Sequence, residues 1–158
     1  MRCVMNITFS KVESMDPWQF SFGALLVAAT KLDTQLDKVL KKHDLTSKQW
    51  FLLVILDSMF EHPPTLKQLA EEMGSSYQNV KQLALKLETK GMIRIEKDPE
   101  DARALRIRAT PESTAIWEKL IPDAEMFLGQ FYQDVTSSDA ESLKRTLYQI
   151  LQNLYKMK

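Results

Sequence analysis

The 158-residue sequence predicts a mainly α-helical protein with one small β-hairpin. Three observations support this fold class. Apolar residues recur every three or four positions through most of the chain, as on the buried face of a helix. Residues 93–96 and 105–109 instead alternate apolar and polar side chains, as strands do. Four glycines and six prolines are too few for a turn-rich all-β protein.

The composition is that of a soluble globular protein, with 44% hydrophobic and 27% charged residues. The single cysteine, Cys3, rules out an intramolecular disulfide framework and fits a reducing compartment. The first residues lack the apolar core of a signal peptide, and no apolar run reaches the roughly 18 residues of a membrane span. We therefore expect a cytoplasmic protein. The net charge is zero, but residues 75–110 carry eight basic and five acidic side chains, a local positive footprint.

Residues 1–16 show no clear period and are expected to form a flexible lead. A long helix is predicted over residues 17–43, with Pro17 in its first turn. Its apolar residues lie three or four positions apart, a spacing that packs one long helix against another. These residues are Phe22, Leu25, Ala29, Leu32, Leu36 and Val39.

Two capping-box patterns predict the next helix starts, because threonine is followed three residues later by glutamine. The first, at Thr46, opens a helix that is apolar nearly all round and is expected to be buried. The second, at Thr65, opens a short helix that ends at Gly74. A serine pattern beginning at Ser75 caps a third helix, which Gly91 ends. The inner faces of these last two helices are Leu66, Leu69, Ala70 and Met73, and Val80, Leu83, Ala84 and Leu87.

Together these segments predict a winged helix-turn-helix, with the helix-turn-helix at 65–90 and a hairpin wing at 92–109. After the wing, residues 111–155 are predicted to be helical. Pro122 should kink this region or divide it into two segments, and Ser138 is expected to cap the last helix. The last helix carries a stripe of the same spacing as the first, so both terminal regions, 17–43 and 111–155, are expected to pack against other long helices.

The outer face of the second helix of the pair is polar. Gln78 and Gln82 point away from its buried stripe, and glutamine can read adenine while lysine can take guanine or phosphate. An ordinary solvated face is the alternative, and a capping box could occupy the Gln78 side chain. The candidate DNA-binding residues are Thr65, Ser75, Ser76, Tyr77, Gln78, Asn79, Lys81, Gln82, Lys86, Arg103 and Arg106.

The segments LKQLAEEMG, LETKGMI and DPEDAR, in this order, resemble the MarR family of transcriptional regulators over residues 17–155. The resemblance implies a homodimeric winged-helix DNA-binding protein, usually a repressor, whose terminal helices form the dimer interface. It also implies that Arg103 reaches the minor groove and that Asp101 braces the wing. Ile95 departs from the family pattern, which usually has arginine there and an ion pair to the wing.

Regulators of this family are often released by small aromatic ligands or by oxidation. Trp18, Phe22, Trp50 and Phe51 lie where the family's ligand cavity would be, although a role in the core is the alternative. Cys3 has little around it to mark a sensing thiol. His43 and His62 are the only histidines, so neither a metal site nor a cofactor is expected.

The sequence therefore predicts a homodimeric repressor of a nearby operon, bound to a pseudo-palindromic duplex operator and relieved by a small molecule. The alternative is a winged-helix module that binds protein without specific DNA binding. An enzyme is not expected, because no catalytic constellation is visible.

Overall fold

The structure, a computed structural model, describes residues 12–101 and 103–157. Six helices and two strands are assigned, in agreement with the predicted mainly helical fold class. In chain order they are α1 Pro17–Leu40, a 3-10 turn Lys41–His43, α2 Ser47–Ser58, α3 Leu66–Glu72, α4 Tyr77–Thr89, β1 Ile93–Lys97, β2 Leu105–Ala109, α5 Pro111–Phe131 and α6 Ser137–Lys156. The chain divides into two compact units, one ending at Lys119 and the other beginning at Leu120.

The core of the first unit is formed by α2, α3, α4 and the hairpin. Its largest fully buried side chains are Leu52, Leu66, Leu69, Val80, Leu87, Ile93 and Ile107. They come from the inner faces that the helical and strand periods predict. The helix-turn-helix therefore rests on α2, whose apolar character on most sides suits a central position, although Phe51 at its outer edge is 37% exposed.

The helix starts confirm two predicted caps and correct two others. Thr46 and Thr65 each form a complete capping box with Gln49 and Gln68. For α4, however, the N-cap is Ser76, whose hydroxyl accepts the Asn79 N–H at 3.2 Å. The Ser75 N–H instead donates to the Ala70 carbonyl and so belongs to the preceding turn.

The start of α6 is shifted in the opposite direction, toward the N-terminus. Its N-cap is Thr136, in a capping box with Asp139, and not Ser138. The stretch from Thr136 to Glu141 offers hydroxyl and carboxylate groups in two overlapping registers, and the earlier one starts the helix two residues sooner. The helix α5 continues through Pro122 as one element, so the alternative in which proline divides it into two segments is wrong.

Two glycines end α3 and α4 with positive φ angles, 57° at Gly74 and 73° at Gly91. After each helix, the next two N–H groups return to carbonyls of the last turn, which is the Schellman pattern. For Gly91 these are the bonds from Gly91 N to the Glu88 carbonyl and from Met92 N to the Leu87 carbonyl, at 2.8 and 3.0 Å. The turn after α4 thereby directs the chain straight into β1.

Replacing Gly91 with alanine is expected to lower the free energy of unfolding by about 1 kcal/mol, because a Cβ is disfavoured at positive φ. No atom lies within 4 Å of a Cβ built there, so the loss reflects backbone strain and not a clash. Urea unfolding of Gly91→Ala and Gly91→Asn provides the measurement. Asparagine tolerates this conformation better, so a larger loss for Gly91→Asn than for Gly91→Ala would contradict the explanation.

The two strands pair antiparallel, with Ile93 opposite Ala109 and Ile95 opposite Ile107. Ile93 and Ile107 point into the core, 1% and 0% exposed. The hairpin is also joined to the start of α3, because Thr65 forms a bridge with Arg106 and Ile107 N donates to the Pro64 carbonyl at 2.9 Å. The wing is thus an extension of the helix-turn-helix and not a free loop.

The terminal helices leave most of their apolar side chains exposed in a single chain. In α1 only Leu40 is buried, and Trp18 and Phe22 are 85% and 70% exposed. None of the residues of α6 is buried, although Leu151 and Leu154 lie on its apolar stripe and are 52% and 55% exposed.

Candidate nucleic-acid interface

The helix α4 presents a polar face opposite its buried stripe. Val80, Ala84 and Leu87 are completely buried. The exposed side chains include those expected to read bases; they are Tyr77, Gln78, Asn79, Gln82 and Lys86, with Lys81 half-buried beside them. Because Ser76 and not Ser75 caps the helix, Gln78 is not the glutamine of a capping box.

The two flanks of α4 face different surroundings. On one side, Tyr77 lines a cavity together with Thr65, Lys67 and Arg103, between the start of α3 and the wing. On the other side, α4 shares a cavity with Lys48 and Phe51 of α2 and with the turn before α4; the α4 residues there are Asn79, Gln82, Leu83 and Lys86. Most of the sequence-predicted contact residues therefore line one or the other of these two cavities beside α4.

Two hydroxyl groups among the candidate DNA-binding residues accept hydrogen bonds from backbone N–H groups at helix starts. The Thr65 hydroxyl accepts the Gln68 N–H at 3.2 Å, and the Ser76 hydroxyl accepts that of Asn79. Ser75 is half-buried in the turn. Thr65 and Ser76 thereby cap the N-termini of α3 and α4, where backbone N–H groups can receive an anion.

The wing tip is organised by Asp98, which sequence reasoning did not single out. Its carboxylate accepts hydrogen bonds from the backbone N–H groups of Glu100 at 2.8 Å and Asp101 at 3.1 Å. It also accepts a hydrogen bond from the Arg106 Nε at 2.5 Å. These bonds, first the one from Glu100, hold the pKa of Asp98 below its usual value. The Asp-Pro pair at 98–99 was the available signal, since aspartate side chains commonly bond backbone N–H groups in turns.

Asp101, which the family resemblance expects to brace the wing, bonds the backbone of the wing tip. Its carboxylate accepts the N–H of Arg103 at 2.9 Å, within the tip itself. The bonds that join the tip to the rest of the domain come from Asp98 and Arg106. Arg103 is exposed at the tip, as a residue that reaches for a partner would be.

The Arg106 guanidinium is bonded to two other groups of the protein. Its Nε pairs with Asp98, and its Nη1 donates to the Pro63 carbonyl at 2.8 Å. Its side chain is 32% exposed, whereas that of Arg108, the next outward-facing position of β2, is 60% exposed.

Both ends of the α4–β1 connection are tied to neighbouring elements. Ile95, at the position where the family usually has arginine, donates its backbone N–H to the Glu88 carboxylate at 2.7 Å. Lys90 donates to the Asp44 carbonyl and pairs with the Asp44 carboxylate at 3.1 Å. The end of α4 is therefore fixed to the wing by Glu88 and to the α1–α2 connection by Lys90.

The four aromatic residues considered for ligand binding do not share one site in the chain. Trp18 and Phe22 are exposed on α1, whereas Trp50 packs edge-to-face on Trp117 with ring centroids 6.5 Å apart. Phe51 lines the cavity beside the Gly74 turn. Cys3 lies outside the described residues.

Within residues 12–101 and 103–157, no three His, Cys, Asp or Glu side chains are placed to hold a metal ion. In the same part of the chain, no helix has the length and apolar character needed to cross a bilayer.

Comparison with known proteins agrees with this arrangement. Residues 43–104 match the family model described as "MarR family". The "Transcriptional repressor MprA" of Escherichia coli (strain K12) is 23% identical over 128 residues, 81% of this chain and 73% of that protein. These matches are to regulators and not to enzymes, in line with the expectation from sequence.

Two solved structures share the fold. The crystal structure of MarR superposes with a TM-score of 0.73 at 18% identity, covering 89% of this chain and 99% of that one. The S. aureus MepR–DNA complex gives a TM-score of 0.71 at 19% identity, with the same coverage of both chains. The matched segment, the related repressor and the shared winged-helix fold together make this chain similar to the MarR family of transcriptional regulators.

Proposed function

We propose that the protein is a homodimeric repressor that binds a pseudo-palindromic operator in duplex DNA. The observation that carries this proposal is the outer face of α4. It exposes amide side chains beside lysines, opposite a stripe that is completely buried. Amides can pair with adenine and lysines with guanine or phosphate, so this face suits the major groove.

The wing supports a second contact. Arg103 is exposed at a tip that is tied to the helix-turn-helix, so it is well placed for the electronegative minor groove beside the major-groove site. The remaining residues of the predicted set, Thr65, Ser75 and Ser76, lie at helix starts, which suits phosphate contacts.

The exposed stripes of α1 and α6 support a dimer. Two long helices with large apolar side chains in solvent need a partner surface, and a second copy of the same chain supplies an equivalent one. A two-fold axis would place the two α4 helices about 34 Å apart, one turn of DNA. Zero net charge implies that affinity depends on the local lysines and arginines and falls steeply with salt.

Repression of a nearby operon and release by a small aromatic ligand complete the proposal. Repression is supported by the description of MprA as a repressor, and DNA as the partner by the MepR–DNA complex. Ligand release rests on the family resemblance, and the cavities beside α4 offer space near the DNA-facing surface.

A mobility-shift titration with the DNA upstream of the protein's own gene tests this function. We expect saturable binding that an unrelated duplex does not compete away, and a loss of about tenfold or more for Arg103→Ala. Arg145→Ala is the matched control, because it removes the same charge from α6. Binding that is indifferent to sequence and unchanged in Lys81→Ala, Gln82→Ala and Arg103→Ala would instead support the protein-binding alternative.

A further inference from the structure

We propose that Arg106 is a positioning residue of the wing and not a DNA contact. With Asp98 it fastens the wing tip to the segment before α3, and so sets where Arg103 is presented. This inference rests on the proposed DNA binding, and it reassigns one residue of the predicted contact set.

The guanidinium joins two segments that are distant in sequence. Its Nε bonds Asp98, eight residues away across the hairpin, and its Nη1 bonds the carbonyl of Pro63, 43 residues away. Lysine has the same charge but a single ammonium on a flexible stem, so it cannot reproduce this planar two-direction contact.

Each end of this contact is itself fixed. Asp98 holds the tip turn through the N–H groups of Glu100 and Asp101, and the backbone bond from Asp98 N to the Ala104 carbonyl at 3.0 Å closes the turn. At the other end, Pro63 and Pro64 have restricted backbone angles and lead directly into the Thr65 cap. Arg103 lies within the closed turn. Its position relative to α3 is therefore set by the Asp98 bonds at the tip and by the bond from Arg106 to the Pro63 carbonyl.

Burial separates this pair from an ordinary surface ion pair. The Asp98 side chain is 6% exposed and that of Arg106 is 32% exposed, whereas Glu96 and Arg108 on the same hairpin are 49% and 60% exposed at a separation of 3.8 Å. A buried carboxylate that loses its partner must reorganise or recruit water. Loss of Arg106 is therefore expected to disturb the tip.

The two roles of Arg106 predict opposite responses to conservative substitutions. If Arg106 contacted phosphate, Arg106→Lys would retain affinity, and Asp98→Asn would leave it unchanged or raise it by removing a negative charge near DNA. If Arg106 positions the wing, both substitutions weaken operator binding, we expect by about five- to tenfold. Glu96→Gln is the matched control, because it removes one negative charge from the same hairpin and should not weaken binding.

A double-mutant cycle in the protein, measured by operator binding, tests whether Arg106 and Asp98 act through Arg103. In an Arg103→Ala background, Arg106→Lys and Asp98→Asn are expected to cost at most about twofold more, because they act through Arg103. Losses that simply multiply would overturn the inference, as would wild-type affinity of Arg106→Lys. Asp98→Asn keeps an oxygen for the tip N–H groups, and circular dichroism of each variant verifies folding.

The two proposals fail in different ways. If the wild-type protein shows no specific operator binding, both the proposed function and this inference are wrong. If it binds and Arg103→Ala weakens binding while Arg106→Lys and Asp98→Asn do not, only the positioning role is wrong.

Discussion

Replacing Leu87 with alanine is expected to lower the free energy of unfolding by about 2–5 kcal/mol. Leu87 is 0% exposed on the inner face of α4, in the core that also contains Leu69 and Ile107. Its removal leaves a cavity where α4 meets the rest of the first unit, in addition to the lost transfer free energy of the side chain. Because α4 carries the candidate DNA-reading face, the same substitution should also loosen that face.

Leu85→Ala is the matched control for this prediction. It makes the same chemical change two residues away on the same helix, but Leu85 is 40% exposed. Its expected cost is about 1 kcal/mol or less, since little area is buried there. Urea unfolding followed by circular dichroism, at one fixed protein concentration, measures both variants. Equal losses in the free energy of unfolding would mean that α4 does not pack against the core through the face that contains Leu87.

The architecture was predictable because its determinants are local. The inner face of α4 follows from a period of 3.6 residues, the strands from a period of two, and the Thr46 and Thr65 starts from residues three apart in sequence. Each of these patterns can be recognised without knowledge of the remaining chain. The fold class followed from them, and the solved MarR structure, which shares the fold, confirms it.

Two features of the candidate site were not predictable in the same way. The bond between Arg106 and Pro63 joins residues 43 positions apart, so no local pattern shows it, and Arg106 was indistinguishable from an outward-facing arginine. The N-cap of α4 depended on which of two adjacent serines the preceding turn would take. That choice follows from the bond between Ser75 N and the Ala70 carbonyl, which requires the tertiary turn at Gly74.

Replacing Leu151 with aspartate is expected to convert the proposed dimer into monomers and to lower operator affinity by about a hundredfold or more. Leu151 is 52% exposed on the apolar stripe of α6, a helix with no buried residue in the single chain. A charge buried at a helix–helix interface loses its hydration without gaining a partner. Once the two DNA-binding units are separate, each half-site is bound independently, and the gain from linking them, about 10²–10⁴, is lost.

Sedimentation equilibrium at micromolar concentration measures the first effect, and the mobility shift measures the second. Gln149→Asp is the matched control, because it adds the same charge on the opposite side of α6 and should leave both the dimer and its affinity intact. Circular dichroism distinguishes a folded monomer from an unfolded chain. A wild-type protein that sediments as a monomer would refute the proposed dimer. If Leu151→Asp instead remains a dimer with full operator affinity, α6 does not form the dimer interface. In the second case the exposed stripe of α1, with Trp18 and Phe22 at its start, would have to hold the two copies together without α6.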